Sequence, residues 1–295
     1  MRGVPEMTLQ CVADAARENI LIVSYHSHSR FCDGKGEPEE FVRSALEKGF
    51  SAFGFSSHAP LPFETEWNMK AGDLPEYLRL TRELKERYAG RIELYTGLEA
   101  DFFDGCTDWR TQPGIAYTLG AVHFLPHPKT GTAMPVDGNA KEFRETLESG
   151  FDGDIQAFGE AYYGKVREML LSMPPNILAH LDVFRKNNSG ERYFSEDDEW
   201  YREEISKTLE VISLTDVIVE VNTGGMSRGY LKDPYPSWRI LEEILASGIP
   251  IQLNSDVHQP DAVDFGYEAV RAKLLKMGFV KQRVLYGGIW QDVPF

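Results

Sequence analysis

Seven short apolar or β-branched runs alternate with stretches of helical periodicity, and this alternation restricts the fold more than any other feature of the chain. The runs are Ile20–His26, Ser51–Ser56, Ile92–Leu98, Tyr117–His123, Asn176–His180, Val217–Val221 and Pro250–Asn254. Strands separated by helices pair in parallel through right-handed crossovers, which leaves an open doubly wound sheet or a closed barrel. The first predicted helix begins near Pro38, with Glu37, Glu39 and Glu40 at its positive end and Gly49 as its stop. Leu74–Tyr88, Asp154–Leu171, Glu196–Ser213, Tyr235–Ala246 and Asp264–Met277 repeat apolar residues at three- and four-residue spacing and read as helices covering a barrel. Trp200, Trp238 and Tyr267 fall inside these patterns and read as packing. The proline-rich segment Phe124–Asn139 reads as a long loop that overhangs something.

With 295 residues and 42% hydrophobic content, the chain is long enough for one barrel-sized core. A single domain over residues 1–295 is expected, with 1–19, including a helical pattern at Thr8–Glu18, as an appendage or tail outside the strand scheme. The net charge of −15 disfavours extended nucleic acid, which selects a basic face, although bound divalent cations would offset part of it. Cys11, Cys32 and Cys106 are odd in number and lack Cys-x-x-Cys spacing, which argues against a disulfide framework or a structural zinc site and fits a reducing cytoplasm. No apolar stretch reaches the roughly 18 residues of a membrane span, and no signal-peptide pattern opens the sequence. No membrane partner is expected.

A closed parallel barrel gathers its functional groups at the carboxyl ends of its strands. Of the seven histidines, His26, His28, His58, His123, His180 and His258 stand at or just after such ends, and only His127, which reads as solvated, does not. His26 and His28 lie two residues apart, so on an extended backbone both imidazoles face the same way and can hold one ion. Asp256 and His258 repeat that spacing after the seventh run, and first and last strands are neighbours in a closed barrel. Glu99 adds a carboxylate at a strand end, with Asp101 and Asp104 as alternatives if that end is misplaced. Asp182 reads as a supporting or helix-starting residue, and Asp33, followed by Gly34, as a ligand or a turn former. Mixed imidazole and carboxylate donors without cysteine suit zinc, iron or manganese with open coordination positions.

The ordered set resembles the polymerase and histidinol phosphatase (PHP) superfamily, in its histidinol-phosphatase-like branch. It comprises His26-x-His28 with Phe31-Cys32-Asp33-Gly34, then Ser57-His58, Gly97-Leu98-Glu99, Gly120-Ala121-Val122-His123-Phe124, Ala179-His180-Leu181-Asp182, Glu220-Val221-Asn222-Thr223 and Ser255-Asp256-x-His258. The resemblance implies an α/β fold, a distorted (β/α)7 TIM-like barrel, with two to three divalent metal ions. It implies that His26, His28, Glu99 and Asp256 hold a first ion, that Glu99 bridges to a second held by His123 and His180, and that Asp33, His58 and His258 hold a third. Some members carry a histidine where Asp33 stands.

The function so implied is hydrolysis of a small phosphate monoester by metal-activated hydroxide, with Glu99 and Asp256 as the catalytic carboxylates and L-histidinol phosphate, from histidine biosynthesis, as substrate. Arg185 and Arg228, in loops where the branch places basic residues, are candidates for gripping phosphate, and Arg30 is a third. Two alternatives stand beside this reading: a phosphoesterase acting on a phosphodiester, nucleotide or short oligonucleotide, and a non-catalytic metal-binding module. At Cys32, beside the first motif, a buried inert thiol is expected over a reactive one.

Overall fold

All seven apolar runs become strands of one parallel sheet in the computed structural model, which describes residues 20–295. In chain order the strands are β1 (Val23–Ser24), β2 (Ala52–Phe55), β3 (Glu93–Asp101), β4 (Tyr117–Ala121), the hairpin β5 (Phe124–Pro126) and β6 (Ala133–Pro135), β7 (Ile177–Leu178), β8 (Ile218–Asn222), β9 (Ile251–Asn254), and a second hairpin of β10 (Lys281–Tyr286) and β11 (Ile289–Pro294). The large sheet runs β1-β2-β3-β4-β7-β8-β9. Its two edges then meet: Ser27 bridges Val257 in parallel, the His28 amide donates to the Val257 carbonyl at 2.8 Å, and the Tyr25 amide donates to Asn254 Oδ1 at 2.8 Å. The result is a nearly closed seven-stranded barrel. The expected appendage over 1–19, with Cys11 in it, lies outside the described residues.

The covering helices follow from amphipathic spacing and local capping. Helix α1 (Pro38–Glu47) starts with Pro38, its Glu37 amide donates to Glu40 Oε2 at 2.7 Å, and Gly49 follows its end at φ 78°. Such a start is worth roughly 1 kcal/mol. Phe41, Val42 and Ala45 are buried on its inner face in one cluster with Phe53 of β2 and Leu94 of β3. Helices α2 (Leu74–Arg87), α3 (Ala140–Phe151), α4 (Ile155–Ser172) and α5 (Glu199–Ser213) come next, then a short α6 (Gly224–Ser227), α7 (Trp238–Ala246) and α8 (Tyr267–Met277). None of the described helices is long and apolar enough to cross a membrane.

Inside the barrel the Tyr117 ring crosses toward β1 and β2, where its hydroxyl lies 2.7 Å from the Tyr25 carbonyl and 3.0 Å from that of Phe55. Gly54 and Gly97 make room for it: a Cβ at either position would lie 2.2 and 2.4 Å from Tyr117 atoms. The β10–β11 hairpin packs Val284, Leu285 and Val293 with Val23, Ala52, Ile177 and Ile218, the first residues of β1, β2, β7 and β8. That end of the barrel is therefore sealed by apolar contact, which leaves the carboxyl ends of the strands for chemistry.

Candidate metal centre

One carboxylate lies among five imidazoles at the open end of the barrel. Glu99, in β3 and 1% exposed, places Oε2 at 2.9 Å from His58 Nδ1, 3.2 Å from His26 Nε2 and 3.4 Å from His28 Nε2. Its Oε1 lies 2.8 Å from His180 Nε2 and 3.4 Å from His123 Nε2. Each histidine arrives from the end of a different strand, except His26 and His28, which follow β1 together. Asp256, just after β9, brings Oδ1 to 3.2 Å from His28 Nε2 and 3.6 Å from His26 Nε2. On the outer side, Asp33 Oδ2 is 3.2 Å from His258 Nε2, and its Oδ1 is 3.7 Å from His28 Nδ1 and 3.8 Å from His58 Nε2.

Four overlapping groups have ligand atoms within 4.8 Å of one another: His28-Asp33-His58-His258, His26-His28-Asp256, His26-Glu99-His180 and His58-Glu99-His123. All nine residues expected to bind metal are thus brought together, with His28 and His58 shared more widely than the expected sets assign them. The donor set fits two to three divalent ions. Buried atoms without hydrogen-bond partners point the same way: His26 Nε2, His28 Nε2, His58 Nδ1 and Glu99 Oε2 all face into the cluster. A buried polar atom without a partner costs about 1–3 kcal/mol, and an ion about 2.0–2.2 Å from each would remove that cost. Two of the four described non-glycine residues with positive φ, His180 (φ 21°) and Asp256 (φ 48°), belong to this centre.

The electrostatics favour ionised acids. Burial opposes the charge on Glu99, yet His58, His26 and His123 outweigh it and hold the carboxyl well below its usual range. Burial likewise opposes ionisation of Asp256, but Arg228 and His26 keep it well below the ordinary carboxylate value. Burial, with His258 and His58 alongside, drives His28 down to about 3, so its ring stays neutral and able to ligate. Burial also pushes the Cys32 thiol up to about 12, which makes it the inert thiol expected.

Several supporting residues carry no ligand motif. Asp101 accepts from His123 through both Nδ1 (2.8 Å) and the backbone amide (3.1 Å), so it orients His123, while Asp104 pairs with Lys165 at the surface. Glu220 stands behind His26, with Oε1 2.7 Å from Nδ1. Asp182 is fully buried and accepts from the Ser237 amide and Arg185. His127 stands apart, its Nδ1 accepting from the Lys129 amide.

The centre floors a cavity of about 530 Å³, of a size suited to a small ligand. Arg228 lines it, with Nη2 on Asp256 Oδ2 and Nη1 3.0 Å from His258 Nδ1. The structure places the other two candidate arginines elsewhere. Arg185 is 5% exposed, does not line the cavity, and spends its donors on Asp182, Glu196, Asp233 and the Pro234 carbonyl. Arg30 also lies outside the cavity wall, paired with Glu37 and Glu76 and set over the Phe31 ring. The cation that does reach the cavity from the Arg185 loop is its neighbour Lys186. The Phe124–Asn139 segment does overhang, its β5–β6 hairpin supplying Phe124 and Pro135 to the wall. Trp67 stacks on Phe124 (5.6 Å between centroids, 10° between planes) and sets its edge against His58.

A nearly closed parallel barrel with a multi-imidazole, multi-carboxylate rim defines a metal-binding (β/α) barrel protein. Residues 24–224 match the PHP domain model, and the chain belongs to that family. It is 29% identical over 255 residues to a Deinococcus radiodurans protein named "Probable histidinol-phosphatase", covering 82% of this chain and 88% of that one. To the histidinol-phosphatase of Bacillus subtilis it is 27% identical over 263 residues, covering 83% and 96%. Its fold is similar to the crystal structure of the Lactococcus lactis histidinol phosphate phosphatase complexed with zinc, L-histidinol and phosphate, with TM-score 0.69, 19% identity, and 91% and 98% of the two chains covered.

Proposed function

We infer that the chain is a metal-dependent phosphatase that hydrolyses a small phosphate monoester, L-histidinol phosphate, to L-histidinol and phosphate. The observation that carries this reading is Glu99 among five imidazoles on the floor of a cavity that also presents Arg228 and Lys186. Divalent ions in such a donor set supply charge neutralisation at phosphorus and activation of water at neutral pH.

The chain's own groups then have distinct tasks. Glu99 and Asp256, kept ionised, and the six imidazoles hold cations without protons competing for the carboxylates. Arg228 presents a planar fork to phosphoryl oxygens, and Lys186 offers a second positive charge from the loop after the neighbouring strand β7. Attack of water oxygen on phosphorus breaks the bond to the ester oxygen, and the proton that the attacking water gives up balances the one that the departing alcohol oxygen gains. Asp256 is suited to ligation and unsuited to donating that proton, because Arg228 and its histidine neighbours keep it ionised.

The substrate assignment is supported by the relatives' names and by the wall beyond the metal donors. Glu66 and Glu142 give that wall a negative side suited to an ammonium group, and the Trp67–Phe124 stack suits a planar ring. L-histidinol carries both. Metal analysis of purified protein, followed by turnover of histidinol phosphate, nucleoside monophosphates and a chromogenic diester, tests the reading. Preference for histidinol phosphate by at least tenfold in kcat/KM is expected; preference for the diester would overturn it.

A further inference from the structure

Glu220 interrupts an otherwise apolar run in β8, between Val219 and Val221, and is fully buried. Among the described residues its only ionic partner is His26. Its charge is compensated by four donors: Oε1 accepts from His26 Nδ1 at 2.7 Å and Asn254 Nδ2 at 3.0 Å, and Oε2 accepts from the His180 amide at 2.8 Å and Asn222 Nδ2 at 2.9 Å. Four donors fill the roughly four acceptor positions of a carboxylate.

Each contact acts on a different part of the centre. The bond to His26 engages Nδ1, which leaves Nε2 facing Glu99 and Asp256, the side on which an ion would be held. The bond to the His180 amide holds a residue at φ 21°, a conformation that its backbone would otherwise relax, and so keeps its Nε2 on Oε1 of Glu99. Through Asn222, whose Nδ2 is also 3.2 Å from Asp256 Oδ2, the brace extends to a third ligand. Asp101, by contrast, touches His123 alone among the ligands.

We propose that Glu220 is a positioning residue that couples the metal subsites on the two sides of Glu99, so that occupancy of one orders the ligands of the other and two ions bind cooperatively. The proposal rests on the metal-centre reading. Glu220→Gln keeps the shape but places an amide NH2 where two donors point, whereas Asp101→Asn perturbs one ligand.

The test is titration of metal-free protein with cobalt and zinc, read by cobalt absorption, chelator competition and bound-metal content. Two ions should enter wild type in one steep step. In Glu220→Gln both should weaken by about 10–100-fold and enter separately, while Asp101→Asn should move the step to higher metal concentration and leave it single. Melting of the metal-free forms separates this from loss of fold, because the metal-dependent shift should shrink while the metal-free midpoint stays near wild type. Independent binding in wild type would overturn the coupling even if Glu220→Gln does not fold. Equal behaviour of the two variants, or unchanged binding in Glu220→Gln, would also overturn it. If wild type binds no metal at all, the metal-centre reading itself fails, and the coupling with it.

Discussion

Nη2 of Arg228 stands 2.8 Å from Oδ2 of Asp256, and its Nη1 reaches the Asp256 carbonyl at 3.1 Å. The guanidinium is thereby fixed at the cavity floor, with its side chain still 33% exposed toward the space that a phosphoryl group would occupy. Lysine at this position would keep the charge and lose the fork. Arg228→Lys is expected to lower kcat/KM for a phosphate monoester by about 10²–10³-fold, the usual cost of removing one donor from developing negative charge. Steady-state kinetics at saturating metal measure it, and a loss under threefold would remove Arg228 from phosphate recognition.

Arg185 behaves differently because its partners are internal. It bonds Asp182, Glu196 and Asp233, all away from the cavity, and Asp182 is fully buried. Removing the cation leaves Asp182 without its charged partner. Arg185→Ala should destabilise the fold by about 3–5 kcal/mol, measured by urea unfolding, with kcat/KM of the folded fraction within a few-fold of wild type. Lys186→Ala should do the reverse, raising KM with little change in the unfolding midpoint.

The difference between these neighbours explains what the sequence could and could not reveal. Strand-end histidines are legible because parallel-barrel topology converts sequence position into spatial position. His26, His58, His123 and His180 therefore converge as that topology demands. The side to which a loop residue turns depends on a 3-10 turn at Val183–Asn187, which has no periodic signature. Arg185 thus turns into the protein and Lys186, one residue on, toward the cavity. Glu220 did leave a signal, a charge inside a strand buried on both faces. The C-terminal hairpin left another, since Gly287 (φ 62°) and Gly288 (φ 78°) form the glycine pair that favours a two-residue turn. Trp67 left none, because the segment around it has no regular period and meets Phe124 only through tertiary contact.

Metal removal should be visible in stability as well as in turnover. Ions that bind only the folded chain stabilise it by about 4 kcal/mol at a free concentration 1,000 times Kd. For a chain of this size that corresponds to a melting shift on the order of 10 °C. Chelation followed by calorimetry should show the drop, and re-addition of zinc or manganese should reverse it. A melting point indifferent to chelator, in protein shown to have lost its metal, would contradict the role of the unpartnered atoms of His26, His28, His58 and Glu99 as ligands.

The Trp67–Phe124 stack makes a prediction about the leaving group alone. The ring of Trp67 lies parallel to Phe124 and at an angle to His58, forming one wall of the cavity without taking part in the donor groups. A planar ring on the substrate would gain roughly 0.5–1.5 kcal/mol from an aromatic neighbour beyond simple burial. Trp67→Leu should accordingly raise KM for histidinol phosphate by about three- to tenfold while leaving KM for a ringless monoester such as serine phosphate near its wild-type value. Parallel Michaelis curves for both esters, with bound metal measured in each preparation, supply the comparison. Equal losses on the two esters would mean that Trp67 shapes the metal centre through His58 and has no part in reading the alcohol.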